Sequence, residues 1–231
     1  MQAVILAAGQ GRRLAPLTDT IPKPLIKVQG RTILERLLYS LPDEVTEVII
    51  VTEYLEEKIT EHIGDNYNNL NIKYAHQGEK KGTLGALISA KELLNDESFL
   101  IMGSDDLFNK AELSRIVKNK YSFGVHKKFL PGKQWLIIEV GNNNKVTSMR
   151  KPTDEEFRNP QYMATGVYVT DKTIFDVEPY ILANGELGLP QTLRGLFGTK
   201  EYMAVEMKDW LQINTHEELA YAEANLGKKH I

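Results

Sequence analysis

The apolar residues in the first half of the chain follow two patterns. Short continuous apolar runs are typical of parallel strands buried on both faces, and they occur at Ala3–Ala8, Glu47–Thr52 and Ser98–Met102. Between them, apolar residues return at every third or fourth position, which is the spacing of one helix face. This spacing predicts a helix that begins near Arg31 and another over Thr83–Leu94.

The order of these elements predicts the fold class. A charged helix over Glu53–Ile63 and a strand over Asn71–His76 complete the alternation. Repeated strand–helix–strand units form a doubly wound, Rossmann-like parallel sheet, so we expect an α/β fold. Ligands of such sheets bind beyond the carboxyl ends of the strands. Three loops lie at such ends: Gly9–Arg13, Gln77–Thr83 and Gly103–Asp106.

The second half of the chain has strands joined by short connections. The predicted strands are Ser122–His126, Gln134–Val140, Val146–Met149 and Met163–Thr170, with a hairpin-like turn at Gly141–Asn144. The predicted helices are near Thr173–Leu182 and Pro190–Leu196 and over Thr215–Leu226. We therefore expect one domain, residues 1–231, with a mixed, mostly parallel sheet. Its halves are about residues 1–120 and a small β-rich extension of about residues 121–231.

Composition narrows the classes of function. The 231 residues carry 28 basic and 31 acidic side chains, so no basic excess points to nucleic acid as a partner. The absence of cysteine excludes disulfides and thiolate chemistry. No stretch approaches the roughly 18 apolar residues of a membrane helix, and the N-terminus lacks the pattern of a signal peptide. We expect a cytoplasmic protein with no membrane partner, and the sequence leaves a homo-oligomer open.

The loop after the first predicted strand carries the strongest chemical signal. Gly9 and Gly11 leave backbone N–H groups free to bind an anion. The two arginines that follow, together with Lys23, supply charge for a polyphosphate. The loop is not a Walker loop, because no Gly-Lys-Ser/Thr follows the glycines. It is not a dinucleotide loop, because Leu14 stands where a third glycine would let a helix pack closely.

The run Gly9–Leu14, followed by Pro16–Thr18 and Pro22–Pro24, resembles the N-terminal signature of the sugar-1-phosphate nucleotidyltransferases. The resemblance implies a GT-A-like fold that binds an NTP and a sugar 1-phosphate. It implies that Arg13 and Lys23 are catalytic residues that contact the phosphates. The nucleotide contacts implied near this strand end are Leu6, Ala8, Gly9 and Gly11. Arg12 occupies a variable position of the signature, which favours a solvated charge.

A second part of the resemblance concerns the nucleobase. Gln77, followed by Gly82 and Thr83, is similar to the family's base-recognition loop, in which a glutamine precedes a Gly-Thr that opens a helix. Glutamine offers donors and an acceptor to a base edge, and glycine lets the backbone approach a flat ring. The alternative is a plain strand-to-helix loop, in which Gln77 lies on the surface and Thr83 caps the helix.

The family also implies Mg²⁺ as a cofactor. Its aspartate ligand follows the fourth strand, and alignment on that strand places Asp105 at this position. A carboxylate at a strand end suits Mg²⁺ shared with phosphates. The family's second metal carboxylate matches Gln212, whose amide oxygen can coordinate Mg²⁺ but brings no charge. Either Gln212 or Asn214 is a weaker ligand, or the metal depends on Asp105 and the phosphates.

The acceptor half resembles the family less closely. Lys151 matches a lysine that holds the sugar phosphate, whereas Arg150 replaces a glutamate that grips sugar hydroxyls. A cation that only donates hydrogen bonds suggests an altered or more acidic acceptor. Thr165 and Gly166 match a Thr/Ser-Gly pair at the sugar pocket, and Glu186 lies in a further Gly-Glu segment.

The reaction implied by the resemblance joins an NTP and a sugar 1-phosphate to give an NDP-sugar and pyrophosphate. One alternative is a cytidylyltransferase for a phospho-alcohol such as phosphocholine. Arg150 disfavours it, because a cationic acceptor needs aromatic or acidic neighbours. Another alternative is a non-catalytic NTP-binding regulatory homologue, suggested by Gln212 and Arg150.

Overall fold

The computed structural model describes residues 1–129 and 135–228 and contains one large mixed sheet with helices on both faces. The strands are β1 (Gln2–Leu6), β2 (Lys27–Val28), β3 (Arg31–Thr32), β4 (Glu47–Thr52), β5 (Asn66–Tyr67), β6 (Leu70–His76), β7 (Ser98–Gly103), β8 (Asp106–Leu107), β9 (Ser122–Lys128), β10 (Ile137–Val140), β11 (Val146–Arg150), β12 (Gln161–Asp171), β13 (Met203–Glu206) and β14 (Leu211–Gln212). The α-helices are α1 (Ile33–Ser40), α2 (Glu56–Ile63), α3 (Thr83–Ser89), α4 (Lys110–Ile116), α5 (Leu189–Leu193) and α6 (His216–Asn225).

The main sheet is parallel in its first half and mixed in its second. Its strand order is β11-β10-β12-β7-β1-β4-β6-β5, and β9 pairs with β12 and β13 on a branch. The strands β7, β1, β4 and β6 run parallel, so their carboxyl ends meet at one edge. The long strand β12 runs antiparallel to β7 and joins the second half to the first. The predicted α/β fold, mostly parallel with a β-rich second half, is confirmed.

The core consists of two apolar layers, one on each face of the sheet. In β1, Ala3 and Ile5 face the layer that contains α1, α2, α4 and α6, whereas Val4 faces the layer that contains α3 and α5. These three side chains are fully buried. A strand that is covered on both faces needs no polar alternation, which explains the continuous apolar runs of the sequence.

Local backbone rules explain where the predicted elements end. Helix α2 begins at Glu56 rather than Glu53, because Leu55 adopts a left-handed conformation with φ of 50°. Helix α1 begins at Ile33, where Thr32 and Glu35 form a capping box. Helix α3 ends at Ser89, and the predicted continuation to Leu94 is a separate 3-10 turn.

The predicted helix over Thr173–Leu182 is wrong. Only a 3-10 turn over Lys172–Asp176 forms, and the backbone is extended at Val177. Pro179 explains the difference, because the residue before a proline is pushed out of the helical region. In the predicted strand Gln134–Val140, Gln134 lies outside the described residues, and β10 begins at Ile137. The edge strand β13 was not predicted, since its four residues carry no clear alternation.

No helix in residues 1–129 and 135–228 is long and apolar enough to cross a lipid bilayer.

We expect Ile5→Ala to lower the free energy of unfolding by about 2–5 kcal/mol and Ile5→Val by about 0.5–1.5 kcal/mol, because each leaves a cavity in a packed core. Ile5 is 0 % exposed in a central strand. Urea unfolding followed by circular dichroism measures the change. Ile181→Ala is the control, since Ile181 is 66 % exposed, and its effect should stay within about 0.5 kcal/mol. Equal effects at both positions would contradict this account of the core.

Candidate active site

A large cavity opens at the carboxyl edge of the parallel strands. Its volume is about 1060 Å³, which is large for a site of one small molecule. The three loops predicted to meet at this edge all line it. The first half contributes the loops that follow β1, β4, β6 and β7. The second half contributes Gly166, Tyr168, Glu186, Leu189, Pro190 and Asn214.

The loop after β1 is shaped by Gly11. Its φ of 65° lies in the left-handed region, where a side chain is strained. A Cβ on Gly11 would lie 3.0 Å from Cβ of Lys23 and 3.1 Å from Cγ2 of Thr18. Thr18 also donates a hydrogen bond from Oγ1 to the carbonyl of Gly11, at 3.1 Å. The glycine therefore lets the chain fold closely over Lys23.

Arg12 and Arg13 extend from this loop along the cavity wall. Both are exposed, and Arg12 donates from Nε to Oε1 of Gln10 at 2.9 Å. Tyr54, which sequence reasoning missed, holds the loop from the neighbouring strand. Its hydroxyl donates to the carbonyls of Thr18 at 2.9 Å and Asp19 at 3.1 Å. Its only signal in the sequence is its position just after β4.

The centre of the cavity floor is a contact among three side chains from distant parts of the chain. Nζ of Lys23 lies 2.7 Å from Oδ2 of Asp105 and 2.6 Å from Oδ1 of Asn214. Lys23 is buried, with 10 % of its side chain exposed. The contact brings Lys23 and Asp105, two predicted site residues, together with Asn214, one of the two amides predicted as a metal ligand.

These two oxygens fit a divalent cation. They converge on one point, where the ammonium group of Lys23 already lies. Carboxylate and amide oxygens are ligands of hard cations such as Mg²⁺, which usually takes its other ligands from water and phosphates. Gln212, the other candidate ligand, pairs with Asp106 in the ladder between β14 and β8. Gln212 does not line the cavity within the described residues.

Asp106 faces the same cavity but has a different environment from Asp105. It is buried, and its Oδ1 accepts a hydrogen bond from Nε1 of Trp210 at 2.7 Å. Burial raises the pKa of Asp106 well above its usual range, and the nearby charge of Asp105 raises it further. Of the two neighbouring carboxyl groups, Asp105 is therefore the one suited to hold a cation.

The loop after β6 forms another wall of the cavity. Gln77 is buried, and its Nε2 donates to the carbonyls of Lys80 at 2.9 Å and Gly82 at 3.3 Å. Its Oε1 is therefore the atom that remains to accept a hydrogen bond from a ligand. Glu53 and Lys81, which also line the cavity, form an ion pair between this loop and the end of β4.

Gly82 and Thr83 hold this loop against the second half of the chain. Gly82 has a φ of 89°, and a Cβ there would lie 2.6 Å from the carbonyl oxygen of Leu187. Oγ1 of Thr83 accepts a hydrogen bond from the backbone N–H of Leu189 at 3.0 Å. The two residues thus join the loop after β6 to the segment that carries Glu186. Gly82, Thr83 and Glu186 all line the cavity.

The predicted acceptor residues occupy separate places. Gly166 lines the cavity with a φ of 78°. The side chain of Thr165 is buried instead, and its Oγ1 has no hydrogen-bond partner among the residues that the structure describes. That oxygen lies only 2.5 Å from where a Cβ on Gly124 would stand, so the Thr165 hydroxyl packs against β9. Arg150 and Lys151 do not line the cavity within the described residues.

Arg150 is held by two glutamates. Its Nε donates to Glu139 at 2.6 Å, and its terminal nitrogens donate to both oxygens of Glu156 at 2.6 and 2.9 Å. Hydrogen bonds from Arg150 lower the pKa of Glu156 to about 2. Because the two carboxylates balance its charge, Arg150 does not present a free cation to an acceptor. The partners of Arg150 were not predictable, since neither glutamate adjoins it in the chain.

Comparison with known proteins identifies the family of this chain. Residues 2–229 match the family model described as nucleotidyl transferase. The chain belongs to the nucleotidyl transferase family. The match includes both halves of the sheet and every residue discussed above, so the resemblance noted in the sequence is confirmed.

Individual relatives of this family are similar over most of the chain. The UTP–glucose-1-phosphate uridylyltransferase AglF of Haloferax volcanii is 33% identical over 183 residues, which are 76% of this chain and 74% of that protein. The bifunctional protein GlmU of Methanocaldococcus jannaschii is 30% identical over 214 residues, which are 91% of this chain. The chain spans about half the length of these GlmU relatives, with 50% of the archaeal protein covered.

Two solved structures share the fold of this chain. The crystal structure of a UDP-glucose pyrophosphorylase complexed with UDP-glucose superposes with a TM-score of 0.84, covers 98% of both chains and is 19% identical. The structure of the inositol-1-phosphate CTP transferase from T. maritima gives a TM-score of 0.77 at 19% identity, covering 98% of this chain and 95% of that one.

We expect Gly11→Ala to lower the free energy of unfolding by about 1–2 kcal/mol, because a non-glycine residue is strained in the left-handed conformation. Chemical denaturation measures the change. Gly9→Ala is the matched control, since in the described part of the chain no atom beyond its two sequence neighbours lies within 4 Å of the added Cβ, and its φ is not left-handed. Its effect should stay below about 0.5 kcal/mol. A Gly9 variant as unstable as the Gly11 variant would refute the assigned role of Gly11.

Proposed function

We propose that this protein transfers a nucleotidyl group from an NTP to a sugar 1-phosphate and releases pyrophosphate. The observation that carries the proposal is the buried contact of Lys23 with Asp105 and Asn214 at the floor of a cavity that also contains Arg12 and Arg13. Lys23 and Lys81 are paired with Asp105 and Glu53, so the exposed guanidinium groups of Arg12 and Arg13 are the cations on this wall that suit a triphosphate. The family membership and the printed activity of AglF support the same reaction.

The proposed chemistry needs alignment more than it needs a base. The phosphate of a sugar 1-phosphate is already an anion near neutral pH, so it can attack the α-phosphorus without a strong general base. Catalysis then comes from orientation and from neutralising charge as pyrophosphate leaves. We assign Lys23 to the α-phosphate and the acceptor phosphate, and Arg13 to the β- and γ-phosphates. For the acceptor phosphate, Lys151 stays a prediction of the resemblance alone, since it does not line the cavity within the described residues.

Asp105 and Asn214 are the residues that would hold Mg²⁺. When bound, the ion would neutralise negative charge on the phosphates. Asp105 supplies the one charged oxygen, and Asn214 supplies a neutral oxygen to the same point. Such a site has few protein ligands, which is typical of Mg²⁺ that is shared with a nucleotide.

We propose uracil or thymine as the base. Both Nε2 hydrogen bonds of Gln77 go to backbone carbonyls, so its Oε1 is left to accept. The imino N–H of uracil or thymine can donate to this oxygen, as can the ring N–H of guanine. AglF, which is named as a uridylyltransferase and is 33% identical to this chain, favours uracil or thymine over guanine.

We propose that the acceptor is the 1-phosphate of a sugar that carries no other charge. Arg150 suggested a more acidic acceptor, but Glu139 and Glu156 balance its charge. Glu186 and Gly166, which line the cavity, are the candidates for contacts with sugar hydroxyls.

The proposal is tested by pyrophosphate release with Mg²⁺, crossing ATP, CTP, GTP, UTP and dTTP with a panel of sugar 1-phosphates and phosphocholine. We expect release with UTP or dTTP and a neutral sugar 1-phosphate. Release only with CTP and phosphocholine would instead support the cytidylyltransferase alternative. NTP binding without release from any pair would support the regulatory alternative and overturn the proposal.

Lys23→Ala should lower kcat by about 100-fold or more, which is the usual loss when one charge-stabilising donor is removed. Steady-state pyrophosphate release measures it. Lys27→Ala is the matched control, because Lys27 is exposed and does not line the cavity within the described residues. The Lys27 variant should keep wild-type kcat. Wild-type kcat in a folded Lys23→Ala protein would exclude the assigned role.

Asn214→Ala should raise the Mg²⁺ concentration needed for half-maximal activity, whereas Gln212→Ala should raise it less. Both changes remove one amide, but only Asn214 shares a cation with Asp105 in the structure. Activity measured against Mg²⁺ concentration at saturating NTP separates the two. A larger shift for the Gln212 variant would assign the second ligand to Gln212.

A further inference from the structure

We propose that Lys23 keeps the divalent-cation site closed in the free protein. Its ammonium group occupies the position that the metal takes, so the metal enters only together with a nucleotide that draws Lys23 away. The inference rests on the proposed function in that it takes Asp105 and Asn214 as metal ligands. It goes further, because it makes Lys23 a competitor of the metal as well as a phosphate contact.

The first argument is geometric. One nitrogen, Nζ of Lys23, lies 2.7 Å from the Asp105 oxygen and 2.6 Å from the Asn214 oxygen. A Mg²⁺ ion held by the same two atoms needs oxygens at about 2.0–2.1 Å. The two positions overlap, so the ammonium group and the metal exclude each other. Two cations so close together would also repel strongly in a partly buried site.

The second argument concerns how Lys23 is anchored. Pro22 and Pro24 flank it, and a 3-10 turn over Lys23–Leu25 fixes its backbone. The start of its side chain lies against Gly11, whose added Cβ would come within 3.0 Å of it. The backbone of Lys23 is therefore held at the site, and the far end of the side chain is the part that can move. Movement of Nζ alone can then exchange Asp105 for a phosphate oxygen.

The third argument compares Mg²⁺ and the ammonium group of Lys23 as competitors for the oxygens of Asp105 and Asn214. Free Mg²⁺ loses bound water reluctantly, and within the described residues Asp105 is the carboxylate that Lys23 contacts at this point. The neighbouring Asp106 accepts a hydrogen bond from Trp210 through Oδ1 instead. The ammonium group of Lys23 is part of the chain, so its binding to Asp105 does not require a divalent ion to lose water. In the absence of nucleotide, the contact of Lys23 with Asp105 is therefore favoured over the binding of Mg²⁺.

A triphosphate reverses this balance. It supplies further oxygens to the metal and gives Lys23 a new anionic partner near the arginines of the same wall. Lys23 can then leave Asp105 without losing a charge partner. By linkage, nucleotide and metal each increase the affinity for the other, and the site avoids binding a free metal ion in a non-productive state.

The test is a titration of the full chain with Mn²⁺ in the absence of nucleotide. Electron paramagnetic resonance measures the concentration of free Mn²⁺ and hence the affinity. We expect wild-type protein to bind Mn²⁺ weakly and Lys23→Met to bind it at least about tenfold more tightly, since a site blocked in nine molecules of ten loses tenfold in apparent affinity. Lys23→Gln, which keeps a polar amide and is less disruptive, should tighten binding in the same direction.

Arg12→Met is the matched control. It removes one positive charge from the same cavity, but Arg12 contacts Gln10 rather than Asp105. We expect this variant to bind Mn²⁺ like the wild type. Adding Asp105→Asn to Lys23→Met should abolish the gain, and thermal unfolding shows that each variant is folded.

Two results would overturn the inference. One is an unchanged Mn²⁺ affinity in both folded Lys23 variants, which would mean that Lys23 does not occupy the site. The other is an equal gain in Arg12→Met, which would mean that only the total charge of the cavity matters. Neither depends on turnover. A protein without pyrophosphate release that still shows the Lys23-specific gain would contradict the proposed function and retain this inference.

Discussion

The active-site end of the molecule depends on the contact of Lys23 with Asp105 and Asn214. These residues come from the loop after β1, the end of β7 and the turn before α6, and 82 and 191 positions of sequence separate Lys23 from its two partners. A buried ammonium group needs such partners, because an unpaired charge inside a protein is strongly destabilising. The contact therefore fixes three segments relative to one another.

The sheet makes this contact possible. Parallel pairing of β7, β1 and β4 brings their carboxyl ends to one edge, and the antiparallel strand β12 carries Gly166 to the same edge from the second half of the chain. The neighbouring carboxyl groups Asp105 and Asp106 then take separate roles. Asp105 pairs with Lys23, whereas Asp106 is buried against Trp210. One strand end thus supplies the partner of Lys23 and a structural hydrogen-bond acceptor.

Sequence patterns predicted the first half of the fold well, because its strands are continuous apolar runs and its helices have a clear apolar face. They were less informative after residue 120, where short strands and 3-10 turns carry little periodicity. The predicted helix over Thr173–Leu182 ignored Pro179, and β13 has only four residues. For the site, the strand ends predicted that the loops of Gln77 and Asp105 meet at one edge, and both residues line the cavity. The role of Tyr54 was not predicted, because it depends on a hydrogen bond to a loop 36 residues earlier.

Local spacing and short motifs in the sequence were enough to predict the fold class and the family. Which of the two amides contacts Lys23 beside Asp105 depends on long-range contacts instead. Gln212 lies in β14, which pairs with β8, whereas Oδ1 of Asn214 reaches Nζ of Lys23. The tertiary structure also showed that Arg150 is neutralised by Glu139 and Glu156. Charge pairing and side-chain direction arise from contacts between distant segments, and no local pattern records them.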